Sequence, residues 1–191
     1  MAFISLSAAI LAGGKAERML CQDKGLLLFQ NTPMALLVGR TLQQVADRVF
    51  INANRNFDAY TAFGYEVIAD DQAYQGKGPL SGLLTCLAFA KTSHLLVSPC
   101  DTPCVSGAAF NALIVAAKAA PDRIHYLRDV FGIHPLHAIL PVTAALSLLT
   151  VFLEKESRCS VMAFYDTFGC QSVLWEHEAE LLNVNTPTQL V

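Results

Sequence analysis

From Ile4 to Leu11 the chain runs without a charge and then halts at Gly13-Gly14. An apolar run that short, closed by a double glycine, reads as a strand buried on both faces. The same device recurs along the chain. Val49 to Ala53, Tyr65 to Ala69 and His94 to Ser98 are further strand-like runs, each ending in polar or proline-bearing turns. Helical patterns lie between them. Pro33 opens one with Leu36, Leu37, Leu42 and Val45 on its apolar face, and Gly78-Pro79 opens another through Leu83, Leu84, Leu87 and Phe89. Downstream, Phe110 to Lys118 and Val142 to Glu154 read as helices, and Ile124 to Leu127 and Leu136 to Leu140 as strands. Gln171 to Trp175 and Leu181 to Val184 read as late, short strands. Strand–helix alternation at this spacing predicts a three-layer α/β fold with a mainly parallel sheet. No repeat and no Gly/Ser/Pro linker divides the 191 residues, so one domain is expected over 1–191.

Composition narrows the function classes. With 53% apolar and 15% charged residues, the chain is neither disordered nor a coiled coil. A net charge of -3 gives no general attraction for nucleic acid or anionic membrane, so an anionic ligand must be met by a few placed groups. Cysteines at 21, 86, 100, 104, 159 and 170 include no CxxC pair and read as scattered thiols of a reducing compartment. The longest uncharged stretch, Val130 to Leu153, holds His134, Pro135, His137 and Pro141, which would be costly in lipid or break a spanning helix. It reads as a strand, a proline stop and a helix. The N-terminus lacks the early positive charges of a signal peptide, and a cytoplasmic protein is expected.

Ligands of parallel α/β sheets bind at the carboxyl ends of the strands. Four such ends carry polar residues. The turn after the first strand, Leu11-Ala12-Gly13-Gly14-Lys15, continues through Glu17, Arg18 and Met19 to Asp23-Lys24-Gly25. Its glycines let backbone N–H groups approach a phosphate, and Lys15, Arg18 and Lys24 supply mobile positive charge. Gly14-Lys15 is followed by Ala16, so this is not a Walker loop, and the GxGxxG spacing of a dinucleotide site is absent. The second end, Asn52-Ala53-Asn54-Arg55, offers amides suited to a base, a ribose or a pterin, though turn residues look the same. At the third, Asp70 can accept from a guanine or pterin N–H pair or sit in a solvated turn. At the fourth, Pro99-Cys100-Asp101-Thr102-Pro103, Asp101 is either a Mg²⁺ ligand or a helix cap. His134 and His137 lack a third ligand on adjacent strand positions and read as structural.

These segments occur in one order together with Gly78-Pro79-Leu80-Ser81-Gly82 and Asn183-Val184-Asn185-Thr186-Pro187. In that order, and over the whole length, the chain resembles the molybdenum cofactor guanylyltransferases, the MobA family. The resemblance implies a Rossmann-like nucleotidyltransferase domain that joins GTP to molybdenum-loaded molybdopterin, releasing pyrophosphate. It implies GTP contacts from Leu11, Ala12, Gly13, Lys24, Asn52, Asp70 and Asp101, with Mg²⁺ on Asp101. Arg18, Lys24 and Asp101 would act on the reacting phosphates, and Asn183 and Asn185 would lie near the pterin half. Transient contacts with molybdopterin-synthesis enzymes and recipient molybdoenzymes are likewise implied. Three positions depart from the family pattern: Leu20 stands where glycine is usual, Glu17 adds a negative charge, and Arg158 is alone where adjacent basic residues are common. The other readings are a cytidylyltransferase acting on the same pterin, a sugar-phosphate nucleotidyltransferase, and a non-catalytic carrier of pterin or GTP.

Overall fold

Residues 3–12, 23–155 and 160–184 are described by the computed structural model. In chain order they form β1 (Leu6–Leu11), β2 (Leu28–Phe29), β3 (Thr32–Pro33), α1 (Met34–Leu42), β4 (Arg48–Asn52), α2 (Phe57–Thr61) and β5 (Glu66–Ile68). They continue with α3 (Pro79–Phe89), β6 (His94–Pro99), α4 (Gly107–Ala119), β7 (Ile124–Arg128), β8 (Ile133–Pro141), α5 (Val142–Lys155), α6 (Val161–Phe168) and β9 (Cys170–Leu174).

The main sheet has the order β5-β4-β1-β6-β8-β7-β9. β1 lies between β4 and β6 and is parallel to both, β5 is parallel to β4, and β9 to β7. Only β8 reverses, running antiparallel to β6 and to β7. The expected mainly parallel, three-layer arrangement is therefore present.

Two packed cores, one on each sheet face, explain the uncharged strands. Ala8 and Ile10 of β1 join a cluster with Val38, Leu42, Phe110 and Leu113 of α1 and α4. Ala9, between them in sequence, faces Leu83, Leu87, Leu149 and Phe164 of α3, α5 and α6. Side chains alternate across a strand, so a central strand covered on both faces carries no charged side chain on either. Each large side chain fully buried there contributes about 1.5–3 kcal/mol relative to exposure.

Local chemistry sets several boundaries. Gly78 adopts φ 64°, which suits glycine, and Pro79 then starts α3 with its ring already set for a helix. Ser106 and Ser160 cap α4 and α6 by accepting from Ala109 N at 3.2 Å and Ala163 N at 3.1 Å. Gln30 and Asn31 both have positive φ, as the tight β2–β3 hairpin requires. Pro141 closes β8 immediately before α5, the strand, stop and helix expected there. The stretch 181–184 is not a strand. Leu181 ends the 3₁₀ turn Glu178–Leu181, and Val184 makes one backbone bond, N–H to Asp101 O at 2.8 Å, not a ladder.

Candidate active site

The carboxyl ends of β1, β4 and β6 open onto a cavity of about 980 Å³. Leu11, Ala12, Lys24, Asn52, Asp70 and Asp101 line it together with Gly78, Gly82, His134, His137 and Asn183. Because β8 runs backwards, its first residues sit at the same sheet edge as the last residues of its neighbours. The cavity thus spans four adjacent strands, from β4 across β1 and β6 to β8.

Among its lining residues Lys24 Nζ lies 3.0 Å from Asp101 Oδ2. Asp101 follows β6 and is largely buried. Its carbonyl accepts Val184 N–H, which holds Asn183 at the cavity rim. Lys24 is positioned by its neighbour. Asp23 is buried, and its Oδ1 accepts from Tyr60 Oη at 2.6 Å while its Oδ2 accepts from Arg55 Nε at 3.3 Å and Asn56 Nδ2 at 3.2 Å. A buried carboxylate with this many donors has its lone pairs satisfied. Arg55 therefore anchors the segment that carries Lys24, a role its place in a polar turn did not disclose.

On the β4 side Asn52 Nδ2 and Asn54 Nδ2 each donate to Asp70, at 2.8 Å to Oδ1 and 2.8 Å to Oδ2, and Asn54 Oδ1 accepts Asp70 N–H at 2.9 Å. The amides expected to meet a ligand directly thus orient a carboxylate first. Each Asp70 oxygen keeps a second lone pair for an incoming N–H. Gly82, in the first turns of α3, lets Asn52 approach. A Cβ there would collide with Asn52 Oδ1, while Asp70 Oδ1 would stay in ordinary contact. Ala12 N–H donates to Asn52 O at 2.8 Å, and Leu11 O accepts Cys100 N–H at 3.2 Å, so those groups are committed to the sheet.

The β8 side is built on a bulge. β7 pairs Tyr126 with Ala138 but Leu127 with His134, leaving residues 135–137 without ladder partners. Pro135 cannot donate to a ladder, and bulges re-aim side chains beside sites. His137 is buried, with Nε2 2.9 Å from Thr102 Oγ1. Burial, aided by His134, pulls its imidazole down to about 3, so it is neutral and structural. His134 Nε2 lies 2.8 Å from Asp129 Oδ2. Burial raises the Asp129 carboxyl, but hydrogen bonds from His134 and from the N–H groups of Phe131 and Gly132 outweigh it and hold it below its ordinary value. Cys100 is buried, and burial, with Asp101 and Asp23 adding, pushes its thiol up, so it packs and does not attack.

The structure brings together Leu11, Ala12, Lys24, Asn52, Asp70, Asp101 and Asn183. Gly13, Gly14, Lys15, Glu17, Arg18, Leu20, Arg158 and Asn185 lie outside the described residues. Asp23, Tyr60, Gly82, Asp129 and His134 are additions. Among the described residues no three His, Cys, Asp or Glu side chains gather as a metal site, and no helix is long and apolar enough to cross a membrane.

The fold is that of the Rossmann-like nucleotidyltransferases. "Molybdopterin-guanine dinucleotide biosynthesis protein A" from Archaeoglobus fulgidus superposes with a TM-score of 0.75 at 17% identity, over 96% of this chain and 94% of that one. A nucleotidyl transferase from Methanothermobacter gives 0.71 at 17%, over 97% and 94%. Sequence is more specific. Residues 8–168 match the MobA-like NTP transferase domain. A molybdenum cofactor guanylyltransferase from Haemophilus influenzae is 35% identical over 96% of this chain and 94% of its own, and one from Pasteurella multocida 40% over 81% and 82%. The chain belongs to the MobA-like NTP transferase family and is a nucleotidyltransferase enzyme.

Proposed function

We propose that this enzyme transfers GMP from GTP to molybdenum-bound molybdopterin, forming the guanine dinucleotide cofactor and pyrophosphate. The observation that carries the reading is the Lys24–Asp101 contact in the lining of a cavity that reaches from Asp70 to His134, in a chain whose relatives are named molybdenum cofactor guanylyltransferases. An oxygen of the pterin's terminal phosphate bonds to the α-phosphorus of GTP. The bond from that phosphorus to the α–β bridging oxygen breaks, and pyrophosphate leaves with the electron pair. The attacking oxygen is already anionic near neutral pH, so no base is needed. The protein supplies alignment and charge. In this reading Lys24 and Arg18 act on the phosphates, Leu11, Ala12 and Gly13 contact guanine and ribose through backbone groups the sheet leaves unused, and Asn52 with Asp70 receives guanine. Asn183 and Asn185 are assigned to the pterin half.

Asp101 fits a Mg²⁺ ion, because that ion is commonly held by one or two carboxylates while substrate phosphates and water complete its shell. When bound, Mg²⁺ neutralises phosphate charge. The test is pyrophosphate release with GTP or CTP, with and without Mg²⁺ and molybdopterin. Release only when GTP, Mg²⁺ and the pterin are all present is expected. Release with CTP in place of GTP would overturn the reading of Asp70, and nucleotide binding without release would make the protein a carrier.

A further inference from the structure

Resting on the reading above, we propose that His134, oriented by buried Asp129, is the group that receives the phosphate monoester of the acceptor substrate. A transferase must seat two substrates at once, and the residues assigned to the nucleotide run from Asp70 past β4 and β1 to Asp101 at the end of β6, which leaves the β8 end of the cavity to the acceptor. From β4 to β8 there are three strand spacings, roughly 14 Å in all. The lining there comes from the first residues of β8, and His134 is its one side chain held by an acidic group.

Three features set His134 apart from a packing histidine. Its ring lines the cavity and keeps 21% side-chain exposure, whereas Asp129 beneath it keeps 4%. Nε2 is fixed on Asp129 Oδ2, and among the described residues no group takes Nδ1. Asp129 is itself locked, since its Oδ1 accepts both Phe131 N–H and Gly132 N–H at 2.8 Å. A carboxylate held on two backbone donors and bonded to one ring nitrogen fixes the tautomer and the direction of the other. A phosphate monoester arriving at Nδ1 shares one proton with it, carried either by the phosphate or by the ring. The bond is charge-assisted in both cases. His134 binds the acceptor, and Asp129 is a positioning residue. Neither is needed to bind GTP.

Two measurements test this on the full chain. In the first, His134→Gln, checked for an unchanged thermal midpoint, is assayed for pyrophosphate release with GTP and molybdopterin varied separately. A rise of about tenfold or more in KM for molybdopterin, with KM for GTP within twofold, is expected. An unchanged KM for the pterin, or a parallel rise for both substrates, would overturn the assignment. In the second, histidine ring resonances of the wild type are followed by NMR as inorganic phosphate is added to the GTP-bound protein. The His134 signals are expected to shift, and signals that stay in place would overturn the proposal. If wild-type protein releases no pyrophosphate with GTP and the pterin while phosphate moves His134, the proposed reaction fails and the anion site stands.

Discussion

Replacing Tyr60 with phenylalanine isolates one hydrogen bond on which the Lys24 segment depends. Tyr60 is fully buried, and its hydroxyl donates to Asp23 Oδ1 at 2.6 Å. Burial pushes that phenol well above its ordinary value, with smaller contributions that include the hydrogen bond to Asp23, so it acts as a proton donor throughout the working range. Phenylalanine keeps the ring and its packing, so little is lost beyond the bond. A hydrogen bond to a charged partner contributes about 1.5–3 kcal/mol. Arg55 and Asn56 still hold Asp23 Oδ2, so the carboxylate is not orphaned and the larger penalty of an unpaired buried charge does not apply. The expected loss is about 2 kcal/mol. For a chain of this size that lowers the thermal midpoint by roughly 4–8 °C, measurable by circular dichroism. The same change frees the backbone beside Lys24 and should raise KM for GTP several-fold. A midpoint within 1 °C of wild type would refute the energetic argument. A full loss of stability with KM for GTP unmoved would show that Asp23 does not position Lys24.

Asp101→Ala should lower turnover by about 10²–10³-fold while the fold survives, because the bond from Val184 uses the Asp101 backbone; steady-state kinetics beside a far-UV spectrum check both halves. Gly82→Ala should push the Asn52 amide off Asp70 and raise KM for GTP by about tenfold, about the worth of one hydrogen bond, with unchanged affinity meaning that Asn52 does not serve the nucleotide. Stability should fall in mild acid. The unfolded chain protonates His137 near pH 6.5, but the folded protein, with His137 lowered to about 3, does not, so the unfolded state binds the extra proton between those values. Between pH 6.5 and 5.5 this costs about 1 kcal/mol, and His94, lowered chiefly by burial, adds in the same direction. Equal urea midpoints at the two pH values would mean that His137 takes up its proton within the fold.

Much of the framework was legible from local signals. A double apolar face marks β1, and Gly78-Pro79 marks the start of α3 because both residues carry their own backbone preference. Elements that lack such signals were missed. α2 is little more than one turn entered from Asn56 at φ 54°, and α6 begins at a serine cap with no proline or glycine before it. Leu181 to Val184 is a short, mostly apolar run like a strand, yet among the described residues no neighbouring edge receives it. In the site, Asn52, Asp70, Lys24 and Asp101 were visible as polar residues at strand ends. Their pairings were not, because Asn52 meets Asp70 only through the register that sets β4 beside β5. Nor does sequence disclose a bulge at residues 135–137, without which His134 and His137 read as two isolated histidines.

The reversal of β8 has a consequence for how such an enzyme can diversify. At the ligand edge β1, β4 and β6 each lead into a connection that goes on to a helix. The turn from Asp129 to Gly132 instead joins two antiparallel neighbours, and an insertion there costs only slowly growing loop entropy. One rim of the cavity is therefore a short hairpin turn, and the same turn carries the Asp129 that orients His134. Lineages descended from a common nucleotide-activating ancestor could exchange acceptors by editing four residues of a hairpin, without revising the half that recognises the activated donor.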